Sequence, residues 1–118
     1  MKVSIFGLGY VGTVSAGCLA KDGHEIVGVD LATIKVQLIS SGKSPIIESG
    51  IDDIIAEAVK VGRLSATDDT VQAIEDTELS FVCVGTPSQI NGNLDLTHVR
   101  NVCEQIGHAL RRKSKPAC

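Results

Sequence analysis

A glycine-rich segment between a short apolar run and a helical pattern most restricts the fold of this chain. Residues 7–12 read GLGYVG and fit the pattern G-x-G-x-x-G. The preceding run, Lys2–Phe6, is β-branched and aromatic, which predicts a strand ending in a tight turn. Small and apolar residues then recur at helical spacing from Val11 until Asp22 and Gly23, which predicts a helix closed by a turn. The glycine motif therefore links a strand to a helix, the context that gives the pattern meaning.

Each glycine of the motif has its own physical purpose in a turn that binds phosphate. Gly7 permits the tight turn, Gly9 lets the backbone approach a pyrophosphate, and Gly12 lets the helix pack closely on the strand. The N–H groups of Tyr10 and Val11 open the helix and can donate to phosphate oxygens, assisted by the helix dipole. The motif therefore predicts a dinucleotide-binding turn, and the alternative is a glycine-rich turn without a ligand.

An acidic residue follows at the distance expected of a dinucleotide site. Asp30 lies 18 residues after Gly12, at the end of a second predicted strand. A carboxylate there accepts hydrogen bonds from ribose hydroxyls and repels a 2′-phosphate, so NAD is favoured over NADP. Lys35, one turn into the next helix, is placed to reach the ribose or a phosphate. The alternatives are a helix cap or solvated turn residue for Asp30 and a solvated charge for Lys35.

The remaining patterns alternate strands and helices along one small domain. After the predicted strand at residues 25–30, Ile34, Leu38 and Ile39 mark a helix, and an amphipathic helix follows over 51–59. The next predicted elements are a strand at 64–67 and a short helix to 74 that Asp68 or Asp69 could cap. A strand at 79–84 and a last helix over 99–110 complete the pattern. Such alternation predicts a parallel sheet with right-handed crossovers. The predicted fold class is α/β, a Rossmann-like doubly wound sheet of about four strands in spatial order 3-2-1-4. We expect residues 1–112 to form this domain and residues 113–118 to form a polar tail.

Composition argues against other classes of function. The 118 residues carry 11 Lys and Arg against 14 Asp and Glu, a net charge of −3, which disfavours a general nucleic-acid binder. No apolar run approaches the roughly 18 residues of a membrane span, and the N-terminal apolar stretch is too short for a secretory leader. We therefore expect a cytoplasmic protein whose partners include neither nucleic acid nor membrane.

The cysteines are widely spaced. Cys18, Cys83, Cys103 and Cys118 are separated by 65, 20 and 15 positions. Without a close pair, a zinc site and a dithiol redox site are both disfavoured, and we expect no metal. The first three cysteines fall in apolar segments, where we expect buried and reduced thiols.

Five motifs stand in a fixed order along the chain. They are the glycine motif, Asp30, GKSPIIE at residues 42–48, GTP at residues 85–87 and GNLDL at residues 92–96. Together they strongly resemble the N-terminal domain of the UDP-glucose/GDP-mannose dehydrogenase family, and most closely its members that act on GDP-mannose. The resemblance extends to about residue 110. It implies an oxidation of the sugar C6 alcohol to a carboxylate in two NAD-dependent steps.

The resemblance also implies which residues contact the cofactor. They are Tyr10, Val11, Asp30, Lys35 and Thr86. Thr86 follows a predicted strand, at the sheet edge where parallel α/β proteins bind ligands, although it could also be a plain turn residue. The segment 45–48 would lie near the nicotinamide, which gives Glu48 a candidate role. This chain has Ser49 where the family usually has a proline, and losing that proline loosens the loop.

The family's catalytic cysteine, catalytic lysine and sugar-nucleotide site lie in later segments than those matched here. No cysteine of this chain sits in a matching motif, so no catalytic residue is assigned and the chain alone is expected to be inactive. Alternatives are a stand-alone NAD-binding module that acts as a sensor or accessory protein, and a remnant without function. The cofactor domain of another β-hydroxyacid or amine dehydrogenase fits the later motifs poorly.

The last predicted strand begins at Leu79 and ends at Val84. In the family a further strand follows beyond the matched segment, so this strand is expected to lie at an edge of the sheet. An apolar edge strand without lysine or proline readily pairs with another chain. The resulting hypothesis is a homodimer formed through or beside this edge, near Phe81 and Cys83.

Overall fold

Strands and helices alternate along the chain as the sequence predicts. The structure, a computed structural model, describes residues 1–46, 50–83 and 97–112. Its elements in chain order are β1 (Lys2–Phe6), α1 (Tyr10–Lys21), β2 (Glu25–Val29), α2 (Thr33–Ser40), α3 (Ile51–Lys60), β3 (Leu64–Thr67), α4 (Thr70–Asp76), β4 (Leu79–Val82) and α5 (Thr97–Arg112).

The four strands form one parallel sheet in the order β3-β2-β1-β4. The central strand β1 places Ile5 opposite Gly28 on one side and Phe81 on the other. This order confirms the predicted α/β, Rossmann-like fold. Because the strands are parallel, the carboxyl ends of β1, β2 and β4 meet at one edge, where open α/β sheets bind ligands.

Two clusters of buried side chains cover the two faces of the sheet. One includes Ile5 and Ile26 from the strands and Ile55 from α3. The other is built on Phe6 and Val29 from the strands, with Ala73 and Ile74 of α4 and Ala109 of α5. Neighbouring residues of a strand point to opposite faces, so β1 is buried on both, by the apolar Val3, Ile5 and Phe6 together with Ser4.

Helix α1 buries a face of small residues, and the expectation that Cys18 is buried is wrong. Its buried residues are Gly12, Thr13, Ala16, Gly17 and Ala20, whereas Cys18 is exposed. A Cβ added to Gly17 would lie 3.0 Å from Ile54 Cγ2, so α1 and α3 are in close contact. This close packing favours small side chains on the buried face, and the Cys18 side chain lies outside it.

Two other cysteine predictions need correction as well. Cys103 is exposed because α5 packs through Val102, Ile106 and Ala109, and residue 103 lies beside that stripe. Cys83, just after β4, is only partly buried. Its neighbour strand β1 covers it on one side.

The exposure of β4 and α2 also differs from the pattern. The run at 79–84 reads as a strand covered on both faces, yet Phe81 and Val82 are 42% and 41% exposed. In the described part of the chain, β4 pairs only with β1, which leaves its other edge open. In α2 the fully buried residue is Ile39, while Ile34 is 67% exposed. Val84, the predicted end of the strand, lies outside the described residues.

Helix α4 begins as the sequence predicts. The Asp69 carboxylate accepts a hydrogen bond from the Gln72 N–H at 3.1 Å and so caps the helix. This cap satisfies one of the N–H groups that the first turn leaves without a helical acceptor. The helix continues to Asp76, two residues beyond the predicted end.

Candidate functional site

The glycine motif forms the turn between β1 and α1. Gly7 has a φ of 101°, in the left-handed region that other residues rarely adopt. Its N–H donates to the carbonyl oxygen of Val29 at 2.8 Å, which ties the turn to the end of β2. The backbone therefore requires glycine at position 7.

Gly12 and Gly9 differ in what surrounds them. A Cβ added to Gly12 would collide with the carbonyl group of Gly7, so packing within the chain requires this glycine. A Cβ added to Gly9 would meet no described atom within 4 Å, and Gly9 has a φ of −81° that any residue adopts. Neither this φ nor the described residues therefore require a glycine at position 9. The open space beside Gly9 fits an external group that approaches the backbone closely.

Helix α1 presents an anion-binding end to this space. Gly9 is its N-cap, and among the described residues no side-chain hydrogen bond caps the helix. The first described hydrogen bond into the helix runs from Thr13 N–H to the Gly9 carbonyl at 3.0 Å, so the N–H groups of Val11 and Gly12 precede it. With no acidic residue in the first turn, the positive end of the helix dipole is not neutralised from within the helix.

The Asp30 carboxylate lies beside the turn and is held by backbone donors. Its Oδ2 accepts from the Leu8 N–H at 2.8 Å, and its Oδ1 accepts from the Ala32 N–H at 2.8 Å. The N-cap of α2 is Ala32, so Asp30 is not the helix cap that one interpretation allowed. Lys35 Nζ lies 3.9 Å from Asp30 Oδ2, so the structure brings both predicted residues together.

A cavity of about 210 Å³ opens next to Asp30. It is lined by Phe6, Gly7, Val29, Asp30, Leu31, Thr70, Asn101, Val102 and Gln105. The Thr70 hydroxyl donates to Gln105 Oε1 at 3.2 Å and joins α4 to α5 along its wall. The cavity therefore lies at the carboxyl ends of β1 and β2, between the glycine turn and α5.

A larger cavity of about 670 Å³ lies at the other end of the strands. Lys2 and Glu25, which begin β1 and β2, line it together with acidic residues from the end of α4. Parallel sheets bind ligands at the carboxyl ends of their strands, so the smaller cavity is the better candidate site despite its size.

Two predicted site residues, Thr86 and Glu48, lie outside the described residues. The beginning of the segment before Glu48 is described. Ser44 Oγ accepts from the Ile46 N–H at 3.1 Å, and the Asp52 carboxylate accepts from the Ser44 N–H at 3.1 Å. The first bond is a local turn, and the second ties this segment to the first turn of α3.

Sequence reasoning missed three residues that shape the turn: Leu8, Thr13 and Gly28. The buried Thr13 hydroxyl donates to the Leu8 carbonyl at 3.1 Å, and the Leu8 side chain lies over Gly28 in β2. The sequence signal for this arrangement is Leu8, an apolar residue between two glycines of a turn, where a side chain would ordinarily face solvent.

The described residues contain no other group that suggests chemistry. Burial raises the pKa of the Cys83 thiol above its ordinary value, which makes this thiol less reactive at neutral pH. In the described ranges no three His, Cys, Asp or Glu side chains cluster to hold a metal ion. Nor does any helix there combine the length and apolar character needed to cross a membrane.

Known proteins are similar to this chain over nearly its whole length. GDP-mannose 6-dehydrogenase from Azotobacter vinelandii is 54% identical over 115 residues, and the same enzyme from Pseudomonas aeruginosa is 52% identical. Each match covers 98% of this chain and 26% of the relative. UDP-glucose 6-dehydrogenase from Rhizobium meliloti is 39% identical, with 94% of this chain and 26% of the relative covered. The chain thus spans about a quarter of the length of these relatives.

Solved structures agree with these sequence similarities. A ternary complex of GDP-mannose dehydrogenase from Pseudomonas aeruginosa matches with a TM-score of 0.96 and 52% identity, over 98% of this chain and 26% of that one. UDP-glucose dehydrogenase from Pyrobaculum islandicum matches with a TM-score of 0.91 and 35% identity, over 95% of this chain and 26% of that one. The family model described as "UDP-glucose/GDP-mannose dehydrogenase family, NAD binding domain" matches residues 1–115. Since that match leaves out only the last three positions, the chain belongs to the UDP-glucose/GDP-mannose dehydrogenase family, as its NAD-binding domain.

Proposed function

We propose that this domain holds NAD across the carboxyl ends of β1 and β2 for a nucleotide-sugar 6-dehydrogenase that oxidises GDP-mannose. Gly9 is the observation that carries the proposal, because neither its φ nor its described neighbours require a glycine there. A pyrophosphate in the open space beside it would explain why a side chain is absent. When bound, NAD supplies a hydride acceptor, and the residues of this chain bind and orient it.

The phosphate contacts are proposed for the backbone at the start of α1. The first N–H groups of a helix point along its axis and lack helical acceptors, so we propose that the Val11 N–H donates to a phosphate oxygen. Because no described side chain caps the helix, the dipole favours a bound anion there. The full set proposed to contact or shape the cofactor site is Gly7, Gly9, Tyr10, Val11, Gly12, Asp30, Lys35 and Thr86.

The ribose contacts are proposed for Asp30. Each carboxylate oxygen offers two lone pairs, and one backbone N–H already occupies one on each oxygen. The remaining lone pairs can accept from the two ribose hydroxyls without any movement of the side chain. The same fixed carboxylate would repel a 2′-phosphate, which favours NAD over NADP.

Lys35 only partly offsets that repulsion. Its side chain is 39% exposed whereas that of Asp30 is 14% exposed, so solvent screens the ammonium more than the carboxylate. The ammonium also sits on a flexible stem, while two hydrogen bonds fix the carboxylate. We therefore propose Lys35 as a contact to a ribose hydroxyl or a phosphate beside Asp30.

We propose that the 118 residues alone bind NAD without oxidising a sugar nucleotide. The chain spans about a quarter of its relatives, and the family resemblance implies that their catalytic residues lie in segments other than those matched. We propose a cytoplasmic location, with which the free thiols of the described cysteines Cys18, Cys83 and Cys103 are compatible.

Calorimetric titration with NAD tests the proposal through two glycine-to-alanine variants. Gly9→Ala places a Cβ in the open space, so NAD affinity should fall at least about tenfold while the chain still folds. Gly107→Ala is the matched control, since a Cβ there also meets no described atom within 4 Å and lies away from the turn. If Gly9→Ala binds NAD as tightly as Gly107→Ala does, the turn does not bind the phosphates of NAD as proposed.

A further inference from the structure

We propose that Gly28, inside β2, is a positioning residue for the cofactor and acts through Leu8 of the glycine turn. Gly28 itself need not touch the cofactor. The two residues form a pair in which a missing side chain on the strand makes room for a side chain of the turn. This inference rests on the proposed binding of NAD at the turn.

The Leu8 side chain is fully buried although it belongs to a turn. Its exposed fraction is 0%, and it joins the core cluster of Ile5 and Ile26. A Cβ added to Gly28 would lie 2.8 Å from Leu8 Cδ2 and 3.3 Å from Leu8 Cδ1. Leu8 therefore occupies the space over β2 that a side chain at position 28 would fill.

The backbone of Leu8 is fixed as firmly as its side chain. Its N–H donates to Asp30 Oδ2 at 2.8 Å, and its carbonyl accepts from the Thr13 hydroxyl at 3.1 Å. Thr13 is itself fully buried in α1. Leu8 is thus anchored to the middle of β2, to the end of β2 and to the first turn of α1.

These anchors connect the two parts of the cofactor site. Leu8 lies between Gly7 and Gly9, so its position sets where the turn carries its N–H groups. Through its own N–H, Leu8 also contacts the carboxylate proposed for the ribose. A shift of Leu8 would therefore displace the phosphate turn, while Asp30 keeps its second anchor at Ala32.

A methyl group at position 28 would force such a shift. The separation of 2.8 Å is shorter than carbon atoms tolerate. The end of an exposed side chain would turn aside, but Leu8 is fully buried, so the close packing of its neighbours opposes that rotation. The strain is relieved by movement of the turn. Several N–H groups of the turn would then move together, away from the positions at which they donate to phosphate oxygens.

Gly28→Ala tests the inference by NAD titration, with Gly107→Ala as the matched control. We expect Gly28→Ala to bind NAD about tenfold more weakly, because several amide–phosphate hydrogen bonds are weakened without being lost, and the control to bind like the parent. Adding Leu8→Val should restore affinity to within about threefold of the parent, because the exchange removes the Cδ atoms and conserves the total volume.

A comparison of ADP with adenosine separates positioning from a general loss of structure. Gly28→Ala should weaken ADP by about tenfold but adenosine by less than about threefold, measured from amide chemical shifts. Equal losses for both ligands, or a folded double variant that stays about tenfold weaker than the parent, would overturn the inference.

The remaining outcomes are also decisive. If Gly28→Ala does not fold, the double variant decides alone, and its failure to fold would contradict the volume pairing. Normal NAD binding by Gly28→Ala would overturn the inference while leaving the proposed function intact. A parent chain that binds no NAD would instead remove the proposed function itself.

Discussion

At the scale of single residues, the site combines requirements of different origin. Gly7 is needed for its left-handed φ and Gly12 for packing against the Gly7 carbonyl, whereas Gly9 is needed for neither. The sequence pattern predicts that all three glycines belong to one turn, and it also predicts that Asp30 and Lys35 lie near that turn. The motif does not say which glycine serves the fold and which serves the ligand, because that depends on the atoms around each one.

Asp30 is expected to contribute to both stability and cofactor choice. Asp30→Ala leaves the Leu8 and Ala32 N–H groups without their acceptor, which should lower the free energy of unfolding by about 1–3 kcal/mol. NAD binding should weaken, and the preference for NAD over NADP should narrow because the repelling charge is gone. Urea denaturation measures the first effect, and titrations with both cofactors measure the second.

Asp30→Asn is the control for this prediction. It retains one carbonyl oxygen as an acceptor but removes the charge, so it should narrow the cofactor preference with a smaller loss of stability. An Asp30→Ala variant that binds NAD as tightly as the parent would show that the ribose assignment is wrong.

At the scale of elements, the sequence predicts the buried face of a helix best where apolar residues are concentrated on one side of that helix. Helix α3 is clearly amphipathic. Of the five apolar positions that predict it, Ile51, Ile55 and Ala58 are buried, while Ile54 and Val59 are partly buried. Helix α1 buries mostly glycine and alanine, which give little hydrophobic signal, so the apolar Cys18 was wrongly assigned to the core. The Leu8–Gly28 contact was equally hidden, because it depends on the register of β1 against β2.

The close packing of α1 against α3 should make Gly17 intolerant of larger residues. A Cβ there would lie 3.0 Å from Ile54 Cγ2 and 3.2 Å from Ile51 Cδ1. Gly17→Val should therefore lower the free energy of unfolding by about 1–3 kcal/mol through overpacking. Chemical denaturation of this variant and the parent gives the difference.

Gly107→Val provides the same substitution without the contact. It lies in α5, where an added Cβ meets no described atom within 4 Å, so no loss from overpacking is expected. If Gly17→Val proves as stable as Gly107→Val, α3 does not restrict α1 in the way the contacts indicate.

At the scale of the whole molecule, the outer strand β4 carries exposed apolar residues, and no described strand pairs with its outer edge. Phe81 and Val82 are both more than 40% exposed, and an unpaired strand edge offers N–H and C=O groups to another strand. The sequence, through its family resemblance, predicts the apolar character of β4 and the outer position that β4 has among the described strands. It did not predict the exposure of the faces, because strand patterns alone do not show which neighbours are present.

We propose that a second copy of this chain covers β4, and light scattering tests it. The parent should form dimers as its concentration rises, and Phe81→Lys should remain monomeric because the charge opposes pairing at an edge. Val61→Lys is the control, since Val61 is also exposed, at 54%, but ends α3 away from the edge. A parent that stays monomeric at high concentration would contradict the dimer.

The central claim is that NAD binds at the glycine turn, and a titration followed by backbone amide chemical shifts tests it most directly. The claim predicts saturable shifts concentrated at Gly9, Val11 and Asp30, around the carboxyl ends of β1 and β2. Contradiction would come from the absence of saturable shifts. It would come equally from shifts confined to the larger cavity beside Lys2 and Glu25, at the opposite end of the sheet.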